Sequence, residues 1–296
     1  MAQGFHGLET RSLENGHLWL ECLVGAGPRI VGLGLPGRPN LLADLNELVI
    51  PTPAGPYRIY GGHRLWTAPE GMPRSYLADD APVTIDPITG GIRMSQPVEA
   101  LSGIKKTIEV TLAPARAAAT ITHQLENTGL WAVELAAWAL TKLRQGGIGL
   151  FPQTQGELEP TGLLPNRNLV FWPYTRLSDP RLVLADDYAF IKADPAQPPV
   201  KIGYMNRQGW IGYLNQGTLF VKRFAAYPDR PHVDYGCNTE GYCGDMMIEM
   251  ETVSPLFRLE PGASAVHVEE WELYPADGVP ATPEGVRSLV KSLGLA

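Results

Sequence analysis

The sequence predicts an all-β chain, folded as one domain of antiparallel strands in a sandwich or barrel. Short alternating segments recur at roughly ten-residue intervals. Glycine (32) and proline (27) punctuate these segments, and helical periodicity is convincing only near the C-terminus. Segments 17–24 and 29–35 open the chain as a hairpin. Strands follow over 91–98, 104–112, 118–125 and 133–143, with Asn127-Thr128-Gly129 supplying a turn before the last of them. Later strands fall at 182–185, 189–193, 209–214 and 218–224, the final two joined by Asn215-Gln216-Gly217. Segments 246–253 and 265–274 flank Pro261-Gly262, and the proline-rich stretch 152–173 reads as an ordered excursion over the surface. A terminal helix is expected over about 283–293. There Thr282 suits the N-cap and Pro283 the first helical position. Val286, Leu289, Val290 and Leu293 form an apolar stripe, and Gly294 stops the helix.

Size and charge narrow the function. A chain of 296 residues can bury a large core, and no repeat or linker divides it. Acidic residues exceed lysine plus arginine by 31 to 24, for a net charge of −7, which disfavours nucleic-acid and anionic-membrane partners. No leader pattern opens the chain and no apolar run reaches the length of a membrane span, so a cytoplasmic protein is expected. The odd count of 3 cysteines implies cytosolic thiols, although a Cys237–Cys243 bridge stays open. Phosphate loops, nucleophile elbows and cysteine–histidine nucleophile signatures are missing, so no cofactor is expected. His232 and Asp234, with His63 and Glu70 elsewhere, offer a mixed nitrogen and oxygen ligand set. Nothing in the spacing fixes their geometry, so scattered surface histidines are the better reading and no metal site is expected.

The stretch from Met246 to Val253 is the most informative. Met246, Ile248 and Met250 alternate with Met247, Glu249, Glu251 and Val253, so the two glutamates share one strand face about 6.6 Å apart. Neighbouring carboxylates raise one another's pKa, which suits acid–base work. A strand with one wet face is the plainer reading. Between Gly61 and Glu70, His63, Arg64, Trp66 and Glu70 sit in a segment read as a loop. Arg64 there can fork to hydroxyls or a carboxylate and Trp66 can stack on a sugar face, or the pair can serve the core and a salt bridge to Glu70. Alternation also places Glu134, Trp138 and Lys142 together, and Lys222 with Phe220 and Phe224. The loop from Tyr227 through Asp229 to Tyr242 adds further acids and tyrosines.

Several motifs carry a family resemblance. They are the Gly25-Ala26-Gly27-Pro28-Arg29-Ile30-Val31-Gly32-Leu33 hairpin with Asn40-Leu41-Leu42, the Glu126-Asn127-Thr128-Gly129 turn, Met250-Glu251-Thr252, and Leu259-Glu260-Pro261-Gly262 with Glu270-Trp271-Glu272-Leu273. Together they resemble the galactose mutarotase-like (aldose 1-epimerase) superfamily over most of the chain, and 61–70 with 249–271 resembles a poorly characterised bacterial branch. The resemblance implies a large antiparallel β-supersandwich with a carbohydrate-binding cleft on one concave sheet. It implies Glu251 as general base and His63 in the place of the first family histidine. The second family histidine, the general acid, falls where Ala137-Trp138-Ala139-Leu140-Thr141-Lys142 stands, so Trp138 replaces it. An indole cannot protonate a ring oxygen, which removes about 10²–10⁴-fold of rate unless Lys142 or Lys222 substitutes. Arg64, Trp66, Glu70, Trp138, Lys142, Lys222, Asp229 and Glu249 are the expected sugar-binding residues, with Glu249 holding Lys222 or a loop amide. The expected function is epimerase-like action on a sugar or sugar acid, the cationic residues favouring an anionic one. A non-catalytic sugar-binding module on the same fold is the alternative.

Overall fold

Two antiparallel ten-stranded sheets face each other in the computed structural model, which describes residues 4–295. The front sheet runs Thr10–Glu14, Trp19–Leu23, Arg29–Gly34, His63–Ala68, Val133–Leu143, Ile248–Val253, Thr239–Cys243, Val200–Tyr204 and Val170–Phe171, with Phe257–Leu259 pairing on Val133–Leu143. The back sheet runs Leu182–Leu184, Tyr188–Lys192, Ile148–Pro152, Trp210–Asn215, Thr218–Phe224, Ser264–Pro275, Ala118–Asn127, Ile104–Leu112, Gly91–Ser95 and Thr84–Ile88. Each sheet is tied together by a late strand. Ile248–Val253 bridges Val133–Leu143 to Thr239–Cys243, and Ser264–Pro275 bridges Ala118–Asn127 to Thr218–Phe224.

Strand alternation sorts side chains into layers. Leu65, Ala137, Ile248 and Met250 of the front sheet meet Ile121, Phe220, Trp271 and Leu273 of the back sheet in the main core. Their alternates Trp66, Ala136, Trp138, Leu140 and Val253 point outward, and the hairpin of Asp44–Thr52 and Gly55–Gly61 covers part of them with Leu45, Tyr57 and Ile59. On the back sheet's outer face the helix Pro283–Ser292 buries Val286 and Val290 against Leu150, Phe190, Trp210 and Val221. Thr282 caps this helix by accepting from the Gly285 amide at 3.2 Å, so the expected brace is present.

Three local expectations need correction. The 61–70 segment is not a loop: it contains the strand His63–Ala68. Gly61 and Gly62 have φ of 93° and 63°, and a Cβ there would lie 2.0 Å from Ala43 O or 2.1 Å from Ile30 O. The two glycines swing the chain from the hairpin into the front sheet, a geometry closed to other residues. The stretch 227–242 runs into the strand Thr239–Cys243, and the glutamate strand begins at Ile248, leaving Met246 exposed. Residues 153–169 form no strand or helix, as expected of the surface excursion. Cys22, Cys237 and Cys243 are free and buried. Among the described residues, no helix is long and apolar enough to cross a membrane.

Candidate functional site

Cross-strand register lays two rows carrying the acids and lysines on the outer face of the front sheet. One reads Lys142, Glu249, Tyr242, Lys201, and the next reads Leu140, Glu251, Glu240, Gly203. Above them lie two adjoining hollows of about 390 and 410 Å³ that share Glu70, Tyr76, Trp138, Trp172 and Lys201. Trp66, Tyr174, Tyr242, Lys142 and Glu249 also line the first, and Asp234 lines the second. The aromatic wall is locked by its own packing. Trp66 meets Trp138 edge-on at 5.3 Å and Tyr76 at 4.9 Å, while its Nε1 donates to the Tyr57 hydroxyl at 2.7 Å. At the rim, Glu70 accepts from the Tyr76 hydroxyl.

The paired glutamates have unequal access. Glu249 is 9% exposed and lines the cleft, with Lys142 Nζ 3.2 Å from its Oε1. Glu251 is 0% exposed and reaches neither hollow. Its Oε2 accepts from Trp138 Nε1 at 2.8 Å and from Lys201 Nζ at 3.1 Å, and both donors line the cleft in its stead. Lys201 also sits 2.7 Å from Glu240 Oε2 and lies over the Trp138 and Trp172 rings, 4.9 and 4.5 Å from their centroids. Burial opposes the Lys201 charge, yet Glu240 and Glu251 hold its pKa well above the ordinary lysine value. Burial, reinforced by Glu251, raises the Glu240 carboxyl well above its usual range despite Lys201. Burial likewise raises Glu249 despite Lys142, and lowers Lys142 despite Glu249.

Other expected site residues lie elsewhere. His63 alternates onto the inner face of its strand and enters the core between the sheets. Lys222 also points into that core, from the back sheet, and binds Glu269 at 2.8 Å, so it never approaches Glu249. Arg64 lies on the outer face but is buried, 2.7 Å from Asp79, which Arg29 binds as well. Burial would raise the Asp79 carboxyl, but the two guanidiniums hold it far below the usual range. Asp229 occupies an exposed turn and lines neither hollow. Each expected cation is therefore matched by an acid: Arg64 by Asp79, Lys142 by Glu249, Lys222 by Glu269. Trp66, Glu70, Trp138, Lys142 and Glu249 do come together in the cleft. Sequence reasoning missed Lys201, Tyr76 and Trp172, and placed Glu240 in a loop although it lies in the strand Thr239–Cys243. The signal for Lys201 was the apolar alternation of Val200, Ile202 and Tyr204 around it.

The buried polar residues between the sheets form a closed network. The His267 carbonyl can only accept, so His123 Nδ1 donates to it at 3.0 Å and leaves Nε2 as an acceptor. His63 Nε2 donates to that nitrogen at 2.7 Å, and His63 Nδ1 accepts from the Thr141 hydroxyl at 2.8 Å. Lys222 donates to Thr141, Met250 O and Glu269, whose remaining lone pairs serve Thr252 and Trp271 Nε1. His63, His123 and Glu269 place ligand-type atoms within 4.8 Å of one another. The 2.7 Å separation of the two Nε2 atoms is a hydrogen bond. It is shorter than the roughly 3.4 Å between ligands about 2.1 Å from one tetrahedral zinc. The Lys222 ammonium already occupies the carboxylate. These residues fit a structural network better than a metal centre. The mixed set weighed from sequence is not assembled either, because His63 faces the core and Glu70 the cleft.

No family model and no curated protein matches the chain by sequence. Solved structures do match by shape. A galactose mutarotase-like protein from Lactobacillus casei superposes with a TM-score of 0.58 at 9% identity, over 90% of this chain and 100% of that one. A candidate aldose 1-epimerase from Klebsiella pneumoniae gives 0.62 at 8% identity, over 99% and 85%. A galactose mutarotase related enzyme from Lactobacillus acidophilus gives 0.52 at 9% identity, over 91% and 99%. Sheet order, core and these superpositions agree: the chain has the galactose mutarotase-like β-sandwich fold.

Proposed function

We propose that this chain is carbohydrate-active and takes an uncharged sugar ring in the front-sheet cleft. The observation that carries the reading is the cleft wall itself. Three indoles, Trp66, Trp138 and Trp172, and three phenols, Tyr76, Tyr174 and Tyr242, surround Glu70, Glu249, Lys142 and Lys201. A sugar presents C–H groups on its faces and hydroxyls at its rim, so it matches flat aromatic surfaces bordered by acids and ammoniums. The hollows fall in the size range of small-molecule sites, about 300–1,000 Å³. The names of the mutarotase-like neighbours support the same ligand class.

An anionic sugar fits less well. Lys142 and Lys201 are held by Glu249, Glu240 and Glu251, while Glu70 and Asp234 add negative charge to the lining. Calorimetry with a neutral hexose and its uronate is expected to show weaker uronate binding. Tighter uronate binding that fades with added salt would restore the anionic reading. Trp172→Ala is expected to weaken sugar binding by roughly tenfold, because a lost aromatic contact costs about 0.5–1.5 kcal/mol beyond its buried area. Unchanged affinity in that variant would remove the indole wall as the basis of recognition.

A further inference from the structure

Lys142 enters the cleft with donors to spare. It is 2% exposed and lines the wall; its Nζ lies 3.2 Å from Glu249 Oε1 in an ion pair and has no hydrogen-bond partner among the described residues. An ammonium carries three N–H groups, and buried donors are almost always engaged. The idle ones mark where an acceptor on a bound molecule belongs. Directly opposite across the strand pair stands Glu249, the member of the glutamate pair that reaches the cleft. Glu251 is sealed beneath Trp138 and Lys201.

We infer that Glu249 and Lys142 are the proton-transferring pair of this cleft, and that Glu251 is a positioning residue beneath it. The assignment rests on the sugar reading above and gives it a reaction. With a reducing sugar bound, the Glu249 carboxylate removes the proton from the anomeric hydroxyl and the C1–O bond becomes a carbonyl. The bond from C1 to the ring oxygen breaks, and its electron pair takes a proton from the Lys142 ammonium. Rotation about C1–C2 and reversal of the same transfers closes the ring on the other face. Both protons return to their donors, so no co-reactant is needed. Burial shifts the Glu249 carboxyl up and the Lys142 ammonium down, towards one another, as a pair working near neutral pH requires. Glu251 acts through others: it fixes the Trp138 indole and the Lys201 ammonium that border the ring.

The test is magnetisation-transfer NMR of anomer exchange on a panel of neutral aldohexoses and aldopentoses, with binding measured separately by calorimetry on the same protein. Wild type is expected to accelerate exchange for at least one sugar that it binds. Glu249→Gln and Lys142→Arg should retain binding within a few-fold and lose about 10²-fold or more of exchange at saturating sugar. The arginine variant keeps the positive charge but cannot give up its proton, which separates charge from proton transfer even if Lys142→Met fails to fold. Glu251→Gln should instead raise the sugar Kd, with exchange surviving at saturation. Binding without exchange in wild type overturns the pair and leaves a binding module. Exchange that survives Glu249→Gln but not Glu251→Gln, with both variants folded, returns the base role to Glu251. Failure to bind any sugar overturns the sugar reading and the pair with it.

Discussion

Glu269→Gln is expected to destabilise the protein by about 3–5 kcal/mol, the usual cost of leaving a buried charge without its partner. Glutamine still offers an oxygen to Trp271 Nε1 or Thr252, so the packing survives and the lost charge is what the experiment reads. Lys222 is then left in the core with the Thr141 hydroxyl and the Met250 and Ala139 carbonyl oxygens, but no carboxylate, to hold its charge among the described residues. Urea unfolding at neutral pH measures the change. A double replacement, Lys222→Met with Glu269→Leu, should recover much of the loss, because apolar groups of similar volume often substitute for a buried pair at little cost. A Glu269→Gln protein with wild-type stability would show that the ion pair is not what holds this part of the core.

Acid is expected to weaken the fold through its buried histidines, starting below about pH 6.5. Burial holds His63 well below its ordinary pKa, lowers His123, and lowers His267 to about 3. The folded protein keeps these rings neutral where the unfolded chain, with pKa values near 6.5, takes up protons. The histidine contribution to stability is therefore complete above about pH 6.5 and falls below it, by up to about 1.4 kcal/mol per pH unit for each histidine that stays neutral. Glu240 and Glu249 act in the opposite sense, since their raised pKa values favour the folded state as pH drops towards 4.5. Glu269, held low by Lys222 and the histidines against burial, adds its loss only below 4.5. His267→Gln isolates one ring. Its stability should fall less steeply between pH 6.5 and 5 than that of wild type, by about one proton's worth. Parallel urea midpoints for the two proteins would mean that His267 is not titrating in the transition.

Much of this was legible in the sequence, and the misses have physical causes. The alternation of 248–253 put Glu249 and Glu251 on one face and Ile248 and Met250 on the other, as found, and Thr282 and Pro283 marked the helix start. His63–Ala68 was obscured because it is buried on both faces, so polar and apolar residues do not alternate along it. Period-two reasoning gives a face but not what that face meets. Lys142 points outward from the front sheet and Lys222 inward from the back sheet, and nothing local distinguishes the two. Glu251 lost its access through partners distant in sequence. Trp138 is 113 residues away and Lys201 50, and only the assembled register brings them over it.

The placement of Ser264–Pro275 governs how this molecule comes into being. Its neighbours in the back sheet come from distant parts of the chain: Ala118–Asn127 on one side and Thr218–Phe224 on the other. Until that strand arrives, the back sheet is two fragments with open edges, which are templates for stray pairing. The bond from His123 to the His267 carbonyl spans 144 residues, so the ordering entropy of a long loop is lost before this contact forms. Such topology gives slow folding and a long aggregation-prone interval during synthesis. A chain stopped short of Ser264 should accumulate as insoluble material, whereas one stopped just before the terminal helix should still close both sheets.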